Sequence, residues 1–129
     1  MSEPADLLYS KEHEWVKLEQ GTATIGITDH AQSALGDIVY VELPKVGAQC
    51  KQFSTIGVVE SVKAVSDLYT PIGGEVVAVN DALESDAALV NREPYGGGWM
   101  LKIKMGDQGE IANLLSPSDY EKIAAEEGH

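Results

Sequence analysis

The sequence is poor in cysteine, in basic residues and in long apolar runs, and each shortage closes off a class of protein. Cys50 is the only cysteine among 129 residues, so no internal disulfide can form and the chain suits a reducing compartment. No base lies beside Cys50 in sequence, which favours a half-buried strand thiol over a catalytic nucleophile. Lys and Arg number 9 against 21 Asp and Glu, a formal net charge of −12. A surface that negative repels phosphate backbones and anionic lipid, so neither nucleic acid nor membrane is an expected partner. It suits docking to proteins with basic patches. No apolar run approaches the roughly 20 residues that span a bilayer. The opening Met1-Ser2-Glu3-Pro4-Ala5-Asp6 is acidic, unlike the positive start of a secretory signal or an Arg-rich transit peptide.

What is present is an ordinary globular composition, 43% hydrophobic and 23% charged. One domain is expected over residues 1–129, with a core across about 7–115 and a C-terminal helix across about 117–126. Alternation from Glu14 to Ile27, broken at Glu19-Gln20-Gly21, predicts a hairpin. Thr28 as N-cap, Asp29 in the first turn and Gly36 past the end predict a short helix between them. Asp37 to Leu43 reads as a strand stopped by Pro44. Phe53–Val59, Ala64–Leu68, Glu75–Val79 and Trp99–Met105 read as further strands, and a helical turn is expected to start near Ser85 or Asp86. Ser116-Pro117-Ser118-Asp119 carries the N-cap, N1 proline and N3 acid that open a helix. Many short strands at regular spacing predict a mainly β chain, a sandwich or flattened barrel with small peripheral helices.

Lys63 stands out within that plan. It lies in Glu60-Ser61-Val62-Lys63-Ala64, where two apolar runs meet, so the pattern puts its amine in water at a hairpin tip. With an ordinary pKa near 10.4 such an amine is charged and unreactive alone, which suits attachment by a separate enzyme better than catalysis. Other polar residues invite less. His13 and His30 lack further ligands at metal spacing, so no metal site is expected. Gly96-Gly97-Gly98 is followed by a strand, not by a lysine and a helix, and is no phosphate loop. Trp15 and Trp99 read as core or cleft-wall residues.

The apolar approach, the Glu60–Ala64 tip and the return through Ser66-Asp67-Leu68 to Pro71-Ile72-Gly73-Gly74 resemble a lipoyl-attachment domain. Tyr9-Ser10-Lys11-Glu12-His13-Glu14-Trp15-Val16, Ile25-Gly26-Ile27-Thr28-Asp29-His30-Ala31, and Pro94-Tyr95 with Gly98-Trp99-Met100 resemble the glycine cleavage H-protein family in particular. The likeness runs from about Leu7 to Glu126, departing at Cys50 and at Ser85-Asp86-Ala87-Ala88. It implies the lipoyl/biotinyl-type flattened β-barrel sandwich and a non-catalytic carrier with no catalytic residues of its own. Lipoate would be joined by an amide to Lys63, with Glu60, Ser61, Val62 and Ala64 as the recognition flank. The resemblance further implies a shuttle for an aminomethyl group. Its partners would be a pyridoxal-phosphate glycine decarboxylase (P protein), a tetrahydrofolate-dependent aminomethyltransferase (T protein) and dihydrolipoyl dehydrogenase (L protein).

Attachment would fall to a lipoate ligase, or to an octanoyltransferase with lipoyl synthase. A monomer is expected, in a bacterial cytoplasm, or in the mitochondrial matrix only where a transit peptide has been removed. Because the carried amine is cationic and its linkage is reactive toward water, a cleft offering carboxylates would slow its loss. Glu12, Glu14 and Asp67 are the candidates, against the plainer reading of three solvated acids. Two other roles use a similar plan. A lipoyl relay would donate the group to other enzymes, and a biotin carrier would prefer methionines where Val62 and Ala64 stand.

Overall fold

The computed structural model describes residues 7–127; the acidic opening read above as neither signal nor transit peptide lies outside them. Among the described residues nine strands and four α-helices follow in order: β1 Leu8–Tyr9, β2 Glu14–Glu19, β3 Thr22–Ile27, α1 Asp29–Leu35, β4 Ile38–Glu42, β5 Gln49–Cys50, β6 Thr55–Ser61, β7 Val65–Tyr69, β8 Gly74–Val79, α2 Ala82–Ser85, α3 Leu89–Arg92, β9 Leu101–Met105 and α4 Pro117–Glu127. A 3₁₀ helix covers Gln108–Asn113.

The strands form two antiparallel sheets. One has six strands in the order β1-β2-β3-β9-β8-β5, the other three in the order β4-β6-β7. Ile25, Leu101, Ile103 and Val76 of the larger sheet meet Val41, Val59 and Leu68 of the smaller in one apolar core, the mainly β sandwich expected from the turn spacing. A second cluster, Leu7, Tyr9, Trp15 and Tyr120, fastens α4 to β1 and β2. The Tyr9 and Tyr120 rings stack at 4.7 Å. The first half of β2 is therefore covered on both faces, and Glu14, Trp15 and Val16 are buried in succession.

Local chemistry accounts for the boundaries. Gln20 and Gly21, at φ 50° and 82°, make the two-residue turn between β2 and β3. Thr28 Oγ1 accepts the Ala31 N–H at 3.1 Å and opens α1. Ser116 Oγ accepts the Asp119 N–H at 3.2 Å and opens α4. Several boundaries differ from expectation. The lysine hairpin strands run two residues later on the first arm and one later on the second, and β9 begins at Leu101 rather than Trp99. The single turn expected to start near Ser85 or Asp86 is two short helices, one ending at Ser85 and one beginning at Leu89. Cys50 sits half-buried in β5 as read from sequence, and its thiol donates to the Gly74 carbonyl at 3.4 Å.

Candidate functional site

The candidate site is the turn between β6 and β7. Gly57, Val59 and Ser61 point inward along β6, and Leu68 points inward from β7. The alternation breaks at Val62, Lys63 and Ala64, which are all exposed. Ser61 is buried, and its Oγ accepts the N–H groups of Lys63 at 3.3 Å and Ala64 at 3.0 Å. Its own N–H donates to the Ala64 carbonyl at 2.8 Å. A serine folded back onto its own turn in this way satisfies the amides that a sharp reversal leaves unpaired. Ser61 thus holds the tip from within. Of the expected recognition flank, Val62 and Ala64 face solvent and Glu60 is half-buried.

Lys63 makes no ion pair with another described residue, and its stem lies against Gly36. A solvent-facing, unpaired primary amine on a rigid turn fits amide attachment of an acyl cofactor. The donor set does not fit catalysis by the amine itself, which would need a desolvated group.

The three candidate carboxylates occupy different settings. Glu14 is 2% exposed, accepting a short hydrogen bond from the Ser10 hydroxyl and another from the Tyr69 N–H at 3.2 Å. Burial pushes its pKa up to about 8; the Ser10 and Tyr69 bonds oppose that rise and the neighbouring Glu12 charge adds to it. Glu14 is therefore a protonated acid near neutrality, not a solvated surface charge. Glu12 is exposed and lines a cleft of about 450 Å³ with Ser10, Lys11, Phe53, Tyr69 and Asn113. Asp67 is exposed on β7, two residues from Tyr69 and so on the same face of that strand. Tyr69 links the group, since its N–H meets Glu14 while its side chain lines the cleft. Glu12 thus lines the depression, Glu14 lies buried behind it on Ser10 and the Tyr69 amide, and Asp67 stands along the strand between Tyr69 and the lysine tip.

Sequence reasoning missed Ser10 and Phe53 in this cleft. Phe53 has φ 66° and is 45% exposed, a conformation and an exposure that a strand pattern does not signal. The His13 and His30 rings pack at 4.7 Å, and His13 Nδ1 lies 2.8 Å from the Tyr120 hydroxyl. Trp15 lies flat on Gly26, where a Cβ would come within 2.7 Å of the indole. Its Nε1 donates to the Pro94 carbonyl at 2.8 Å.

Fold and tip together define a lipoyl- or biotinyl-type sandwich domain built around one lysine-bearing hairpin. Residues 7–127 match the family model described as glycine cleavage H-protein. The chain belongs to the glycine cleavage H-protein family. It is 63% identical over 121 residues to the glycine cleavage system H protein of Opitutus terrae, spanning 93% of this chain and 95% of that one. It is 54% identical over 125 residues to the H protein of Carboxydothermus hydrogenoformans, spanning 97% and 96%. A crystal structure of a glycine cleavage system H protein from Mycobacterium marinum superposes with a TM-score of 0.84 at 37% identity, covering 98% of this chain and all of that one.

Proposed function

We propose that this protein is the lipoyl-carrying shuttle of a glycine cleavage system, with the cofactor in amide linkage to Lys63 Nζ. The observation that carries the reading is an exposed, unpaired lysine on a turn that Ser61 holds rigid. When attached, lipoate supplies a dithiolane that accepts an aminomethyl group at one enzyme and yields it at another. The chain's own part is to present, reach and shield. Tethering makes each transfer a local event at an effective concentration of order mM. The partners are the glycine decarboxylase, the aminomethyltransferase and dihydrolipoyl dehydrogenase, with a lipoate ligase or octanoyltransferase and lipoyl synthase attaching the group. A bacterial cytoplasm, where the chain works as a monomer and a non-catalytic carrier, accords with the bacterial relatives.

Glu12, Glu14 and Asp67 serve the loaded arm. A cationic amine entering the cleft meets Glu12 on its wall and favours the ionised form of Glu14 behind Ser10 and Tyr69, the Glu14 proton passing to solvent water, so the buried acid becomes a counter-charge. Phe53 and Tyr69 wall the same depression and limit water.

Intact mass tests the attachment directly. Incubation with lipoate and lipoate ligase should add one lipoyl group to the wild-type chain and none to Lys63→Arg, and the modified chain alone should support glycine–bicarbonate exchange with the decarboxylase. A lipoylated, active Lys63→Arg would overturn the site. Gain of lipoate without exchange activity would favour the relay role. For the cleft, Glu14→Gln and Asp67→Asn should each shorten the lifetime of the bound aminomethyl group on the order of tenfold, with lipoylation rates unchanged; unaltered lifetimes in both would remove the carboxylates from that role.

A further inference from the structure

Three structural elements converge on Asn91, behind the turn that adjoins the lysine tip. This half-buried residue of α3 uses its whole side-chain amide. Nδ2 donates to the Gly36 carbonyl and to Gln32 Oε1, both at 2.9 Å. Oδ1 accepts the Ile38 N–H at 2.8 Å. The end of α1, the turn after it and the first residue of β4 are thereby fixed to α3.

That turn is the shelf on which the lysine tip rests. The Asp37 carbonyl accepts the Val62 N–H at 3.0 Å, the contact that joins the tip to the body of the protein just ahead of Lys63. Gly36 takes φ 84° and ψ −156°, a region open essentially to glycine alone. The lysine stem passes over its bare Cα: a Cβ there would meet Lys63 Cε at 3.4 Å and Cδ at 3.9 Å.

We propose that Asn91 and Gly36 are positioning residues for Lys63, the first locking the shelf that orients the tip and the second supplying the left-handed backbone turn on which that shelf depends, against which the lysine stem lies. This rests on Lys63 being the attachment point. In the attachment step the ammonium first loses a proton to solvent; neutral Nζ then attacks the carbonyl of an acyl adenylate, an N–C bond forms, the C–O bond to phosphate breaks, AMP leaves and Nζ gives up a second proton. The shelf aims Nζ along that line, so loosening it acts on turnover more than on docking.

The test uses the full chain, prepared without lipoate, and steady-state modification by lipoate ligase with lipoate and ATP, followed by intact mass. Asn91→Ala should lower kcat on the order of tenfold with KM nearly unchanged. Acetylation of Lys63 by a small acetylating reagent should proceed at the wild-type rate, because exposure is unaltered. Amide hydrogen exchange at Val62 should speed up in the variant. Gln32→Leu removes one of the three Asn91 bonds from the surface of α1 and should give a smaller loss of kcat; it decides the matter if Asn91→Ala does not fold. Gly36→Ala should show the same kcat loss. Wild-type kcat in Gln32→Leu and in whichever of the other variants folds, or a change confined to KM, overturns the inference while leaving Lys63 as the site. A wild-type chain that gains no lipoate overturns both.

Discussion

Glu14 shows how much one residue's setting can differ from its residue type. Its side chain was legible in the sequence only as one acid among 21. Strand alternation would have put either Trp15 or its two neighbours outside. In the folded chain α4 covers the outer side of β2 where Trp15 lies, so Glu14, Trp15 and Val16 are all inside. That covering comes from over a hundred residues away along the chain, beyond any local pattern. The burial has a pH signature with a definite sign. Free in the unfolded chain the carboxyl titrates near 4.5, and in the fold near 8. The folded state holds the proton more tightly, so the contribution is complete below about 4.5 and is lost as pH rises through about 8. We expect urea unfolding to show the wild-type chain losing a few kcal/mol of stability from pH 5 to pH 9, and Glu14→Gln losing distinctly less. A pH dependence that matches in the two chains would refute the buried neutral acid. The lysine, by contrast, was plain in the sequence, because it interrupts two apolar runs and nothing long-range hides it.

At the scale of the element, boundaries written in capping chemistry were readable and those set by tertiary pairing were not. Thr28 and Gly36 bracket α1 at the expected residues, since each end carries its own hydrogen-bond partner or backbone angle. The two-residue strands β1 and β5 exist only through their partners in the sheet, and no run that short announces itself. The first arm of the lysine hairpin extends to Ser61 because that serine turns inward and binds the tip amides, whereas its polarity suggested that the turn had already begun. The hairpin also depends on a close approach that is not visible in a pattern of hydrophobicity. A Cβ on Gly57 would fall 2.2 Å from the Glu42 carbonyl oxygen, so β4 and β6 can pair there only without a side chain. Gly57→Ala should cost about 2–4 kcal/mol of stability in urea unfolding and lower the lipoylation rate through displacement of the tip from β4. A variant as stable as wild type would mean that the strands separate there at little expense.

For the molecule as a whole, charge decides how it meets other proteins. A net charge of −12 acts at a distance, and Asp37, Glu42 and Asp67 are exposed around the lysine-bearing sheet. Association with the decarboxylase and the aminomethyltransferase should therefore be steered electrostatically. Raising salt from about 0.02 M to about 0.3 M should increase the KM for this chain several-fold and leave kcat nearly constant, as read in glycine–bicarbonate exchange. An insensitive KM would point to apolar docking. Whole-molecule architecture was legible as a class, since the count and spacing of strands imply a sandwich, but the division into six and three strands rests on long-range pairings. One consequence follows from where the single sulfhydryl sits. Cys50 belongs to β5, paired with β8 beside Gly74, at the open end of the hairpin rather than at its lysine tip, and burial pushes its pKa up. A pendant dithiolane would thus find no nearby thiolate of its own chain with which to form a mixed disulfide, and self-inactivation by thiol exchange is suppressed by placement alone.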